Sequence, residues 1–174
     1  MDGSPIGYIL PMKRVFFFRH AKSSWGNAAL NDHERPLNRR GESDAPEMGA
    51  RLAVKGMTPD RIVSSSALRA RSTASLVARA LGLVEEAVQI DSRLYLASLS
   101  EMLEVIHEQP DDLNSIMLFA HNPGMTFAAN RLGGYDIDNL PTCGVFGLQF
   151  ETEMWAEVGF ASTTQLFLDY PKNR

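Results

Sequence analysis

The chain has 174 residues, enough for one domain with a full core and too few for two ordinary domains. Hydrophobic residues make up 44% and charged residues 22%, the balance of a globular chain, and no apolar run approaches the roughly 18 residues that span a bilayer. A net charge of −4 offers no electrostatic basis for binding nucleic acid or anionic lipid, and the single cysteine, Cys143, excludes an internal disulfide, so a cytoplasmic setting is expected.

Residues 1–11, with Gly3, Pro5, Gly7 and Pro11, are expected as an irregular leader, and residues 12–174 as a single domain. Asp2 precedes the few apolar residues of the start, and its cations follow them, the reverse of a secretory signal. Val15 to Phe18 is a continuous apolar run, as expected of a strand covered on both faces. Ala21 to Leu37 is polar and irregular, and a loop of that length in a compact domain is more often functional than idle. Asn38 is placed to cap a helix carrying Ala45, Met48, Leu52 and Ala53, with Pro46 expected to make its first turn irregular or to kink it and Gly56 to end it. Ile62 and Val63 read as a short strand. Ala67, Ala70, Ala74, Val77 and Leu81 mark a second helix closed by Gly82, and Val88 to Ile90 a further strand. Leu99, Met102, Leu103 and Ile106 form one helix face opposite Glu101, Glu104 and Glu108, stopped by Pro110. Ser115 to Ala120 is another buried strand, followed by a short helix around Met125 to Leu132. The alternating stretch from Val145 and the segment Gln165 to Leu168 suit antiparallel edge strands. The expected architecture is a three-layer α/β sandwich with a mainly parallel central sheet, an antiparallel edge and helices on both faces.

Three apolar runs end in the same kind of chemistry. Phe16-Phe17-Phe18 leads to Arg19-His20, Ile62-Val63 to Ser64-Ser65-Ser66 and Arg69, and Leu118-Phe119-Ala120 to His121-Asn122-Pro123-Gly124. Ligands of open α/β sheets sit outside the carboxyl ends of the strands, so parallel pairing would bring Arg19, His20, Arg69 and His121 together. Two guanidiniums and two imidazoles make a pocket for an anion, and the planar forks of N–H donors match phosphate oxygens. The serines and the helix N-termini after them add donors and a positive dipole end.

These residues resemble the histidine phosphatase superfamily, also called phosphoglycerate-mutase-like. Arg19-His20-Ala21 stands where the family carries Arg-His-Gly. The run Ser65 to Ala74 resembles its Ser-Pro-x-x-Arg-Ala-x-x-Thr-Ala motif, and Phe119 to Gly124 carries its second histidine. Within the superfamily, His20 to Trp25, Asp32 to Leu37 and His121-Asn122-Pro123 are similar to the short SixA-type phosphohistidine phosphatases. The resemblance covers about residues 12–132. Ala21 replaces the signature glycine and Ser66 the family proline, and neither change touches a catalytic side chain.

The resemblance implies that a neutral His20 attacks phosphorus in line to give a phosphohistidine that water then hydrolyses, while Arg19, Arg69 and His121 hold the phosphoryl oxygens. No metal or other cofactor is implied, and the His and carboxylate spacings form no zinc or calcium pattern. The family's proton-donating glutamate has no counterpart in Asp91 to Leu96, which leaves Asp32 as the candidate acid and points toward P–N substrates. Ser23, Lys22, Trp25 and Asn122 are candidate substrate-binding residues. The expected partner is a phosphorylated protein or a small phosphorylated substrate. A small-molecule phosphatase or mutase, or a phosphate-binding module without turnover, are the alternatives.

Other residues have plainer readings. Arg35 pairing with Asp32 would make that carboxylate a structural anion. His107 is expected to be solvated on the charged face of its helix, His33 to be exposed in its loop, and Cys143 to be structural.

Overall fold

The computed structural model describes residues 10–173. Of the expected leader only Leu10 and Pro11 fall inside that range. Among the described residues six strands form one sheet in the order β3-β2-β4-β1-β5-β6. They are β1 (Lys13–Arg19), β2 (Arg61–Ser64), β3 (Val88–Ile90), β4 (Ser115–Ala120), β5 (Val145–Phe150) and β6 (Thr163–Asp169). Strands β1, β2, β3 and β4 pair in parallel, and β5 runs antiparallel to both β1 and β6. This is the expected mainly parallel sheet with an antiparallel side. Among the described residues no helix is long and apolar enough to cross a membrane.

Among the described residues four α-helices cover the two faces: α1 (Arg39–Val54), α2 (Leu68–Ala80), α3 (Leu99–His107) and α4 (Gly124–Gly133). The continuous apolar strands explain this layering, because alternate side chains of one strand point to opposite faces. Phe16 and Phe18 join Ile62, Met117 and Phe119 in a core with Met48 and Leu52 of α1 and Val77 of α2. Val15 and Phe17 face the other way, with Ile116 and Leu118, onto Met102 and Ile106 of α3 and Met125 of α4. Phe18 stacks on Phe119 at 4.7 Å and Phe17 on Phe146 at 4.8 Å. Each such ring contributes about 1.5–3 kcal/mol through burial.

Two helix details depend on close contacts. Asn38 caps α1 by accepting from the Gly41 N–H at 2.9 Å, and the Asn38 N–H donates to the Lys22 carbonyl at 3.0 Å. A Cβ at Gly41 would stand 2.2 Å from that same carbonyl oxygen, so only glycine lets α1 approach the segment behind His20. Pro46 does not break α1, contrary to the disturbed first turn expected. The helix is continuous through it, and burial of Ala45, Met48 and Leu52 outweighs the hydrogen bond that proline cannot donate.

Candidate active site

Strand register brings the three motifs to one edge. Arg19 lies opposite Ala120 in the β1–β4 pair and Ser64 opposite Phe119 in the β2–β4 pair. The ladder continues one residue further, with the His20 N–H donating to the Ala120 carbonyl at 3.1 Å and the Ser65 N–H to the Phe119 carbonyl at 2.9 Å. Beyond β1 the chain crosses to α1 on one face, and beyond β4 it enters α4 on the other. The neighbours β1 and β4 therefore part at a topological switch point, where open α/β sheets place ligands. His20 and His121 flank it with ring centroids 5.0 Å apart.

The hydrogen bonds at His20 fix its tautomer. Nδ1 lies 2.8 Å from the Ala21 carbonyl, which can only accept, so Nδ1 carries the proton. Arg69 Nε donates to the opposite nitrogen, Nε2, at 3.3 Å. Burial, aided by the positive charges of Arg69, Arg19 and Arg35, pushes the His20 pKa down to about 4, against the opposing pull of the Ala21 carbonyl. His121, bonded through Nε2 to the Ser65 hydroxyl at 2.7 Å, is pushed down to about 3 by burial and then by His20 and Arg69. Both imidazoles are neutral at pH 7.

Arg69 is held by Asp32, its Nη1 donating to the Asp32 carbonyl at 2.6 Å and Nη2 to Oδ2 at 3.0 Å. The Tyr95 hydroxyl donates to the same Oδ2 at 2.7 Å, and Arg35 pairs with Oδ1 at 2.7 Å. The bond from Tyr95, followed by those from Arg69 and the nearby charge of Arg35, holds the Asp32 carboxyl down to about 2. Asp32 is thus a fixed anion at neutral pH, its pairing with Arg35 being the one the structural reading of this residue anticipated.

Arg19 leaves the end of β1 with Nη1 donating to the Leu140 carbonyl at 2.6 Å and to Asn139 Oδ1 at 3.3 Å. Arg19 Nε and His121 Nδ1 are buried without a hydrogen-bond partner among the described residues. Ala21 replaces glycine without strain. The non-glycine residues with positive φ among the described residues are Leu96 and Cys143, and the Ala21 N–H donates to Thr73 Oγ1 at 3.0 Å. Ser66 uses its hydroxyl to bind His33 Nε2 at 2.8 Å.

Arg19, His20 and His121 at the ends of β1 and β4 converge with Arg69 from the first turn of α2, which follows β2. The four candidate substrate-binding residues are placed differently from one another. Ser23 is buried, and its hydroxyl accepts from Arg35 Nη2 instead of facing the edge. Lys22 is exposed, Trp25 is 76% exposed with Arg35 stacked 3.3 Å above its ring, and Asn122 donates to Asn139 Oδ1 at 2.8 Å and the Leu140 carbonyl at 3.2 Å. Two other expectations are corrected. His33 is half-buried and meets Tyr95 edge-on at 4.9 Å, and His107 is half-buried with Nε2 on the Val158 carbonyl at 2.8 Å, because loops fold over both. Cys143 is buried, its thiol pushed up by that burial, and its N–H donates to the His20 carbonyl at 3.1 Å.

The residue that sequence reasoning missed is Tyr95. Besides binding Asp32 it stands edge-on to His121 at 5.5 Å. The available signal was its place in the segment where the resemblance calls for a glutamate.

The model of the histidine phosphatase superfamily (branch 1) matches residues 15–96. An uncharacterized chloroplastic protein of Arabidopsis thaliana is 35% identical over 153 residues, covering 83% of this chain and 70% of that protein. The chain belongs to the histidine phosphatase superfamily. Its fold matches superfamily members along nearly the whole length. The Agrobacterium tumefaciens protein assigned as the phosphohistidine phosphatase SixA superposes with a TM-score of 0.77 at 27% identity, covering 91% of this chain and 98% of that chain. The protein histidine phosphatase SixA complexed with tungstate gives the same TM-score at 20% identity, covering 92% and 98%.

Proposed function

We propose that this member of the superfamily is a metal-independent phosphatase that works through a phosphohistidine on His20, and that its substrate is phosphohistidine in a protein. The observation that carries the covalent step is the state of His20. Its proton is held on Nδ1 by Ala21, and its pKa near 4 leaves Nε2 unprotonated at neutral pH, its lone pair engaged only by the long bond from Arg69 Nε at 3.3 Å, which an arriving phosphoryl group can replace. Nε2 attacks phosphorus in line, the bond from phosphorus to the leaving nitrogen breaks, and the leaving imidazole departs with a proton. Water then attacks the phosphohistidine, releases phosphate and restores neutral His20. Arg19, Arg69 and His121 stabilise the charge spread over the equatorial oxygens, the main electrostatic task in phosphoryl transfer. A phosphoryl group would also satisfy the unpartnered Arg19 Nε and His121 Nδ1.

The preference for a P–N bond follows from the acids at this edge. An alkoxide leaving group needs a proton, yet Asp32 stays ionised down to about pH 2 and His121 stays neutral down to about pH 3. An imidazole protonated on its own ring nitrogen needs neither. The likeness to SixA, and the tungstate held by that protein, support the reading. Hydrolysis of a phosphohistidine-bearing protein, free phosphohistidine and a sugar phosphate, compared at equal concentration, tests it. The P–N compounds are expected to be cleaved with at least tenfold higher kcat/KM, with labelled phosphate trapped on His20 and none in His20→Ala. A clear advantage for the sugar phosphate would turn the assignment to a small-molecule phosphatase. Phosphate binding without His20-dependent turnover would leave only a binding module.

A further inference from the structure

An apolar trough leads away from the active edge, and it has no part in the chemistry just described. Leu96 and Phe127 are 54% and 58% exposed and line one open groove of about 540 Å³ with Leu99 and Pro123. A second cavity of about 620 Å³ continues on the far side of Pro123 and Phe127, reaching Ile137 and Asn139. Leu96 is the more telling residue. Its φ of 51° places a branched side chain in the left-handed region, which costs about 1 kcal/mol or more, and the leucine so held gains little from burial in the free protein.

The trough joins the active edge at three points. Leu96 directly follows Tyr95, whose hydroxyl binds Asp32. Pro123 lies two residues beyond His121. Asn139 accepts from Arg19 Nη1 at 3.3 Å and from Asn122 at 2.8 Å. A polypeptide that reaches His20 and continues past Tyr95 or Pro123 runs onto the surface lined by Leu96 and Phe127. We infer that this trough binds apolar side chains flanking the phosphorylated residue of a substrate polypeptide, and so selects protein over small-molecule substrates. The inference rests on the proposed reading that the substrate is a polypeptide. Water is displaced from both surfaces, and the gain appears in KM, since these contacts are equally strong before and during phosphoryl transfer.

Two histidine peptides test this, one with leucines and one with serines on both sides of the phosphohistidine, alongside free phosphohistidine. The same two peptides carrying phosphoserine and an aryl phosphate are run in parallel. Leu96→Asn removes the apolar group with a residue that tolerates the left-handed backbone, and Phe127→Ser changes a side chain already facing solvent. The wild-type protein is expected to favour the leucine-flanked peptide roughly tenfold in kcat/KM, through KM. The double variant is expected to lose that preference while turning over free phosphohistidine within about twofold of wild type. A wild-type protein indifferent to the flanks, or a variant that keeps the preference, overturns the trough. Failure of the P–N reading is seen separately, as hydrolysis of phosphoserine peptides without phosphohistidine peptides, and the flank preference is then read on those. Turnover of the aryl phosphate with no peptide cleaved overturns both.

Discussion

A histidine attacks phosphorus only from a nitrogen that has no proton, so the distribution of protons at the active edge decides what each residue can do. With the His20 pKa near 4, protonation removes the Nε2 lone pair only in acid. With an aryl phosphate, whose leaving group needs no ring proton, the rate of enzyme phosphorylation is expected to hold from pH 7 to about pH 5 and to fall through about pH 4, measured by single-turnover trapping on His20. An acid limb centred near 6.5 would mean that burial does not suppress charging of this ring. Asp32 is distinguished from a proton donor by leaving group. As an anion that aims Arg69, its replacement by Asn should lower kcat about 100-fold on aryl and alkyl phosphates alike. A proton donor would be missed only with the alkyl ester. Tyr95→Phe removes one of the donors to Asp32 and should cost about tenfold in kcat with little change in KM.

At the scale of elements, the active edge depends on how closely α1 seats behind β1. Gly41→Ala places a Cβ against the Lys22 carbonyl, and the backbone must move to relieve it. The expected cost is about 1–3 kcal/mol in urea unfolding, with a loss of activity even where the protein remains folded, because Lys22 lies two residues from His20. The strands themselves were legible from sequence: β1 and β4 are unbroken apolar runs, and a run covered on both faces has few alternatives to a central strand. Their polar ends made Arg19, His20, Arg69 and His121 readable as a group. Tyr95 and Leu140 were not readable as partners, since their bonds to Asp32 and Arg19 span 63 and 121 residues and leave no local pattern. The ionisation of Asp32 was half hidden for the same reason. A sequence displays the carboxylate and Arg35 three residues on, but not Arg69 and Tyr95, the donors from two distant segments that complete its charge state.

For the molecule as a whole, the buried imidazoles link stability to pH. Both His20 and His121 have folded pKa values below the ordinary 6.5, so on acidification the unfolded chain takes up protons first. Stability is fully present above about pH 6.5 and is lost as pH falls toward 4, by at most about 1.4 kcal/mol per pH unit for each ring. The contribution of Asp32, whose folded pKa is depressed, is lost only below its ordinary 3.8, toward 2. Urea midpoints are expected to drop between pH 7 and 5 and to drop less steeply in His121→Gln. The reversed direction of β5 has a consequence for synthesis. All four converging side chains have been made by residue 121, yet β1 has no neighbour on its β5 side until Val145 to Phe150 emerge. A nascent or prematurely terminated chain would hold the complete set of reacting groups beside an open edge of three consecutive phenylalanines. Such a fragment should clump with its own kind or recruit chaperones before it ever turned over a phosphate.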